Sequence, residues 1–203
     1  INLTQAESIY IALVRKPPNL WNYTTCFDNV KSDIQKKSIK KEQIEKNIKK
    51  ANKAFSLDTF AFSFERTLNN HHFQCTCIEC YTKYLFKTPK IIDQINNITN
   101  MGITQAHDIF ISKYSYGNFL SVHCDKNNGR LAFILNLSKD WKPEYGGLLH
   151  ILDNNRENVI KTIVPHFNTL TLFYIPPDIG IPHFVSHVNI KNKSRYAITG
   201  WFS

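Results

Sequence analysis

The sequence predicts a mainly β domain with flanking N-terminal helices, an α+β arrangement in which antiparallel strands form a sandwich or barrel. Three observations carry this reading. From about residue 108 onward, β-branched, aliphatic and aromatic residues fall in short runs separated by Gly, Asn, Asp and Pro. Eight such runs stand near 108–114, 119–124, 130–137, 147–152, 159–164, 169–174, 183–188 and 195–202, too short and too evenly spaced for a parallel α/β sheet. Ahead of residue 108, apolar positions recur mostly at helical intervals instead.

A chain of 203 residues suits one well-buried domain, and no long or low-complexity segment marks a linker. Within that unit, 1–107 is expected to be a helical extension packed on the barrel, with a Cys-rich loop at 71–80, and 108–203 the β core. Ile34, Ile39, Ile44 and Ile48 recur at near-helical spacing among lysines and predict an amphipathic helix over 33–54. A strand follows at 60–65. Leu85, Ile91, Ile92, Ile95 and Ile98 again repeat helically, interrupted near Pro89, and predict two short helices.

Composition excludes two classes. No apolar run reaches the roughly 18 residues a membrane helix needs, so no membrane partner is expected. Five cysteines, three of them in Cys75-x-Cys77-x-x-Cys80, make a poor secreted disulfide framework and point to a reducing, intracellular compartment, cytoplasmic or nuclear. The chain begins at Ile1, so a targeting segment ahead of it would not be visible. Together with His71 or His72, Cys75, Cys77 and Cys80 could staple their loop through zinc; the alternatives are a reduced structural cluster and a redox role. The formal charge of +9 concentrates over 31–53, where a solvated helix face is the plainer reading and nucleic-acid contact the weaker one. Nothing in the sequence fixes the oligomeric state.

The chemistry gathers in three places. In FLSVHCD, His123 and Asp125 stand two apart at the end of a predicted strand, and strand alternation aims both to one side. The segment IPHFVSHV on the seventh predicted strand offers a third ligand, His183 or His187. Two imidazoles and one carboxylate on one face leave open positions on non-haem iron, which oxygen chemistry requires. In RYAITGWFS, Arg195 shares the inward side with Ala197 and Thr199. A buried guanidinium is costly without an anion, so its partner is either a protein carboxylate or a bound dicarboxylate held by paired hydrogen bonds.

With YSYGNFLSVHCD, GRLAFILNLSKDWKPEYGGLLHILD, VPHFNTLTLFYI, PHFVSHV and SRYAITGWF in this order, the chain resembles the prolyl-4-hydroxylase-like branch of the iron(II)/2-oxoglutarate-dependent dioxygenases, over roughly residues 108–203. The resemblance implies a double-stranded β-helix, a cupin-like jelly roll of eight strands with the metal at its open mouth. It implies His123, Asp125 and His183 as iron ligands, Arg195 as partner of the distal carboxylate of 2-oxoglutarate, and Tyr114 as a phenol bonded to that cosubstrate. Strand parity does not choose between His183 and His187, but four extended residues span about 13 Å, so only one of them meets the ion. Pro182 marks the strand start at the mouth and favours His183. One departure stands in ILNL, where relatives often carry a tyrosine; here Asn136 takes the position, and its amide can still donate to a carboxylate.

What the resemblance implies chemically is consumption of O2 and 2-oxoglutarate with hydroxylation of a C–H bond, most readily of a prolyl residue in a protein or peptide, with ascorbate as a reductant. Two rivals remain. A nucleic-acid demethylase of the same superfamily typically carries a second arginine six residues after the first, where this chain has Trp201. A non-catalytic jelly-roll binding module would be expected to have lost a ligand. The filled Asp125 position also argues against a halogenating relative, which vacates it for halide.

Overall fold

The computed structural model describes residues 1–67 and 77–203. Four helices and eleven strands are present among these: α1 (Leu3–Arg15), β1 (Asn22–Phe27), β2 (Val30–Gln35), α2 (Lys41–Ser56), β3 (Phe62–Arg66), α3 (Ile78–Leu85), α4 (Pro89–Thr99), β4 (Ala106–Tyr114), β5 (Phe119–His123), β6 (Leu131–Asn136), β7 (Leu149–Leu152), β8 (Val159–Ile163), β9 (Thr169–Tyr174), β10 (His183–Val185) and β11 (Arg195–Phe202). Strand order is β8-β7-β10-β5-β3-β4-β11-β6-β9, with β1 pairing β3 and β2 completing the hairpin. Every pairing is antiparallel. The strands β8-β7-β10-β5 make one layer and β4-β11-β6-β9 the other, joined through β3, which pairs both β5 and β4. This is a double-stranded β-helix, and each of the eight runs read after residue 108 is one of its strands.

Two cores follow from this geometry. Between the layers lie Phe62, Phe64, Tyr114, Ile134, Leu149, Ile151, Val185 and Ala197. On the outer face of β4-β11-β6, Ile111, Phe133, Leu135, Ile198 and Phe202 meet Ala6, Ile9 and Leu13 of α1 and Ile92 and Ile95 of α4. Strand β6 is thus covered on both sides, which is why LAFILN is buried at every position and shows no alternation. At its centre Phe133 stacks on Phe86 at 4.3 Å, and a Cβ on Gly200 would come 2.7 Å from the Phe133 ring. Only glycine admits that contact.

Local signals account for the helix ends. Asn2 caps α1 in a reciprocal box with Gln5, its side chain accepting from the Gln5 amide at 2.8 Å. Pro89 opens α4, and Asn100, at φ 52°, closes it in the left-handed conformation. The helix expected over 33–54 is corrected: α2 begins only at Lys41, residues 33–35 belong to β2, and Lys36–Ser38 form a 3-10 turn between them. The reason lies in the turn. Asp28 and Asn29 both take positive φ, 53° and 61°, the conformation of a two-residue type I′ hairpin, with Phe27 paired to Val30. The N-terminal part is therefore not helical alone, because β1, β2 and β3 extend the sheet from it. No helix among the described residues is long and apolar enough to cross a membrane.

Candidate metal centre

His123 ends β5 and His183 opens β10, and the two are directly paired across the β5–β10 ladder. Pairing puts both rings on one face, with centroids 4.2 Å apart. Asp125, two residues past His123, brings Oδ1 to 3.5 Å from His123 Nε2 and Oδ2 to 3.7 Å from His183 Nε2. One ligand atom from each of the three lies within 4.8 Å of the others, the only such grouping of three among the described residues. The opposite ring nitrogens are engaged by main chain. His123 Nδ1 is 3.0 Å from the Ser121 carbonyl and His183 Nδ1 is 2.8 Å from that of Ile181, so each Nδ1–H donates and each Nε2 keeps its lone pair for a metal. Burial, reinforced by His183, pushes the His123 imidazole down to about 4, so it is neutral and able to ligate at pH 7. The loop ahead of His183 is held close by Gly180, at φ +68°, where a Cβ would sit 2.9 Å from Cys124 Cβ.

Trp201 was missed as a site residue. Its indole Nε1 donates to Asp125 Oδ2 at 3.1 Å and fixes the carboxylate plane. The signal was present in RYAITGW, because Trp201 has the same strand parity as the inward Arg195 and Thr199. That parity survives a bulge in β4, where Asp108 takes φ 49° and three residues of β4 span two of β11.

Behind the three ligands a cavity of about 220 Å³ runs inward to Arg195, lined also by Tyr114, Thr199, Ile134 and Phe173. Arg195 is 3% exposed, and its Nε and Nη1 have no hydrogen-bond partner. Among the described residues no carboxylate lies within 4 Å of it; its guanidinium carbon lies 5.4 Å from the Tyr114 ring, and the two residues pair across β4 and β11. Burial lowers the arginine's pKa and raises the tyrosine's. A buried cation with two idle donors requires an anion. These residues therefore fit a dicarboxylate reaching from a metal at the mouth.

Asn136 pairs with Ala197 and shares a face with cavity-lining Ala132 and Ile134, but its amide is turned to Thr169, 3.4 Å from Oγ1, with Oδ1 left unpaired. It is not itself among the cavity-lining residues. His187 stands apart from the centre. Strand β10 ends at Val185, and His187 stacks on Phe119 at 4.2 Å and bonds Asn52 of α2 at 2.9 Å. The expected strand reaching 188 is thus corrected; β10 is three residues long. Of the cysteine cluster, Cys77 stands at the N-cap position of α3 and Cys80 lies on it, whereas Cys75, His71 and His72 lie outside the described residues.

Two facing antiparallel layers with two imidazoles, one carboxylate and a deep arginine define the class. Residues 109–203 match the model of the 2OG-Fe(II) oxygenase superfamily. Among curated proteins, the chain is 35% identical over 113 residues to prolyl 3-hydroxylase OGFOD1 of Xenopus laevis, a match covering 53% of this chain and 22% of that one. It thus spans about a fifth of that relative's length. A 2OG-Fe(II) oxygenase-family oxidoreductase from Burkholderia pseudomallei superposes with TM-score 0.57 at 11% identity, covering 99% of this chain and 78% of that chain. A Trichoplax adhaerens prolyl hydroxylase solved with a hypoxia-inducible-factor peptide gives 0.51 at 19% identity, covering 98% and 89%. Both likenesses concern the fold.

Proposed function

We propose that this chain is an iron(II)- and 2-oxoglutarate-dependent dioxygenase that hydroxylates a prolyl residue of a protein or peptide. The observation that carries it is the buried, unpartnered Arg195 in the same cavity as His123, Asp125 and His183. His123, Asp125 and His183 hold the metal, and Arg195, beside Tyr114, takes the far carboxylate of 2-oxoglutarate. Bound iron(II) and 2-oxoglutarate would supply the activation of O2, one oxygen atom of which would go to the substrate, turning C–H into C–OH, and the other to succinate as 2-oxoglutarate loses CO2.

The protein's part is orientation and exclusion of water. The Ser121 and Ile181 carbonyls hold the two imidazoles in one tautomer, and Trp201 holds Asp125. Phe60, Phe62, Leu120, Phe110 and Phe173 wall the cavity with apolar surface suited to a pyrrolidine ring. Identity to a prolyl 3-hydroxylase supports the prolyl substrate. A demethylase is less well supported, because the side chain six residues after Arg195 is an indole bonded to Asp125.

Incubation with Fe(II), ascorbate, 2-oxoglutarate and candidate proteins tests the reading. The expected outcome is succinate release and a gain of one oxygen on proline, both dependent on 2-oxoglutarate and on His123. Oxygen gain that persists in His123→Ala would overturn it.

A further inference from the structure

If the site hydroxylates a polypeptide, the hairpin beside it indicates which polypeptide. On β3, Phe62, Phe64 and Arg66 all line the cavity. Opposite them on β1 stand Cys26, Thr24 and Asn22, and opposite those on β2 stand Lys31, Asp33 and Gln35. Antiparallel partners project to one face, so the ribbon presents a single surface continuous with the cavity, and Thr24 and Lys31 belong to its lining. On this surface Arg66 is already committed to Asp33 through Nε at 3.0 Å and through Nη2. Lys31 is exposed and, among the described residues, has no carboxylate within 4 Å. It is the uncommitted cation at the mouth.

The other face of the hairpin is covered by α2, through Ala51 and Ala54, with Lys50 5.3 Å from the ring of Phe27. Residues 22–56 carry nine lysines against four acids, more than half of the chain's net +9. Only Lys36 and Lys41 of the nine meet a carboxylate among the described residues. Exposed charges more than about 8 Å apart are largely screened at physiological salt, whereas the Debye length is about 30 Å at 0.01 M, so the α2 lysines add to the potential at Lys31 at low ionic strength.

We propose that the polypeptide substrate carries aspartate or glutamate within a few residues of its target proline, and that Lys31 contacts that carboxylate at the cavity mouth while the lysines of α2 steer the acidic segment to it. This rests on the hydroxylase reading. A polynucleotide would need a row of cations tracking its phosphates, whereas of the described cations lining the cavity Arg195 is buried and Arg66 is held by Asp33, which leaves Lys31 at the mouth.

The test uses the full chain loaded with Fe(II) and 2-oxoglutarate under nitrogen. Fluorescence anisotropy follows two labelled peptides of equal length and one central proline, one flanked by Asp and Glu, the other by Lys and Arg. The acidic peptide is expected to bind at least tenfold tighter at low salt, with the advantage falling as salt rises. Lys31→Glu abolishes that preference, and Lys90→Glu, on α4 against the other core, preserves it. Equal binding of the two peptides, a preference indifferent to Lys31→Glu, or tighter binding of a single-stranded RNA of matched charge overturns the proposal. Admitting air separates the two claims. Proline oxidation without charge preference sinks the acidic-substrate inference alone, whereas charge-selective binding with neither succinate nor oxygen gain sinks the hydroxylase reading alone.

Discussion

At the scale of single residues, Arg195 and Trp201 divide the site into two separable functions. Arg195 lines the cavity with two idle donors and is not one of the three grouped ligands, so Arg195→Ala should raise the 2-oxoglutarate requirement about a hundredfold or more while iron content stays near that of the parent. Titration of succinate release against 2-oxoglutarate reads this, and an unchanged requirement removes Arg195 from the cosubstrate. Trp201→Phe keeps the ring but deletes the Nε1 donor to Asp125. Loss of such an outer partner should weaken metal affinity about 10- to 100-fold with the 2-oxoglutarate requirement at saturating iron little changed. Equal Fe(II) affinity in Trp201→Phe and parent would show that the indole only packs. The ligand residues were legible because HxD, a later histidine and an inward arginine come in a fixed strand order. Trp201 was legible only as inward by parity, because a tryptophan at the end of a strand is ordinarily core, and its role depends on a carboxylate 76 positions away.

At the scale of elements, the strands of the jelly roll were readable because turn residues punctuate them. The hairpin β1–β2 was not, because Ile34 and Ile39 extend the isoleucine spacing of α2 backwards and mask the Asp28-Asn29 turn between them and β1. That turn makes its own prediction. Asn29 sits at φ 61°, so Asn29→Gly should stabilise by about 0.5 kcal/mol and Asn29→Val destabilise by about 1 kcal/mol or more, measured as opposite shifts in the thermal midpoint. Midpoints that move the same way would argue against a type I′ hairpin. Strand β10 illustrates another limit of sequence reading. The expected strand runs to 188, yet β10 ends at Val185 and only an isolated bridge of Val188 with Gly146 continues the pairing, while His187 is placed against α2, and no local pattern announces a contact with Asn52.

At the scale of the molecule, one layer, β4-β11-β6-β9, carries both the inter-layer core with the site and the outer core under α1 and α4. Phe133 is buried in the outer core between Phe86 and Phe202, so Phe133→Ala should cost about 3–5 kcal/mol in denaturant unfolding, enough to threaten folding outright. A cost under about 1 kcal/mol would mean that the helices do not pack there as described. Metal binding, by contrast, should add stability by mass action without being needed for the fold, so Fe(II) under nitrogen should raise the thermal midpoint of the parent but not of Asp125→Ala. The central claim is that iron is held by His123, Asp125 and His183, and the most direct measurement is iron content and succinate release in the paired variants His183→Ala and His187→Ala. His183→Ala should lose both, and His187→Ala should keep both; a His187→Ala protein that loses iron and succinate release while His183→Ala retains them would contradict the account.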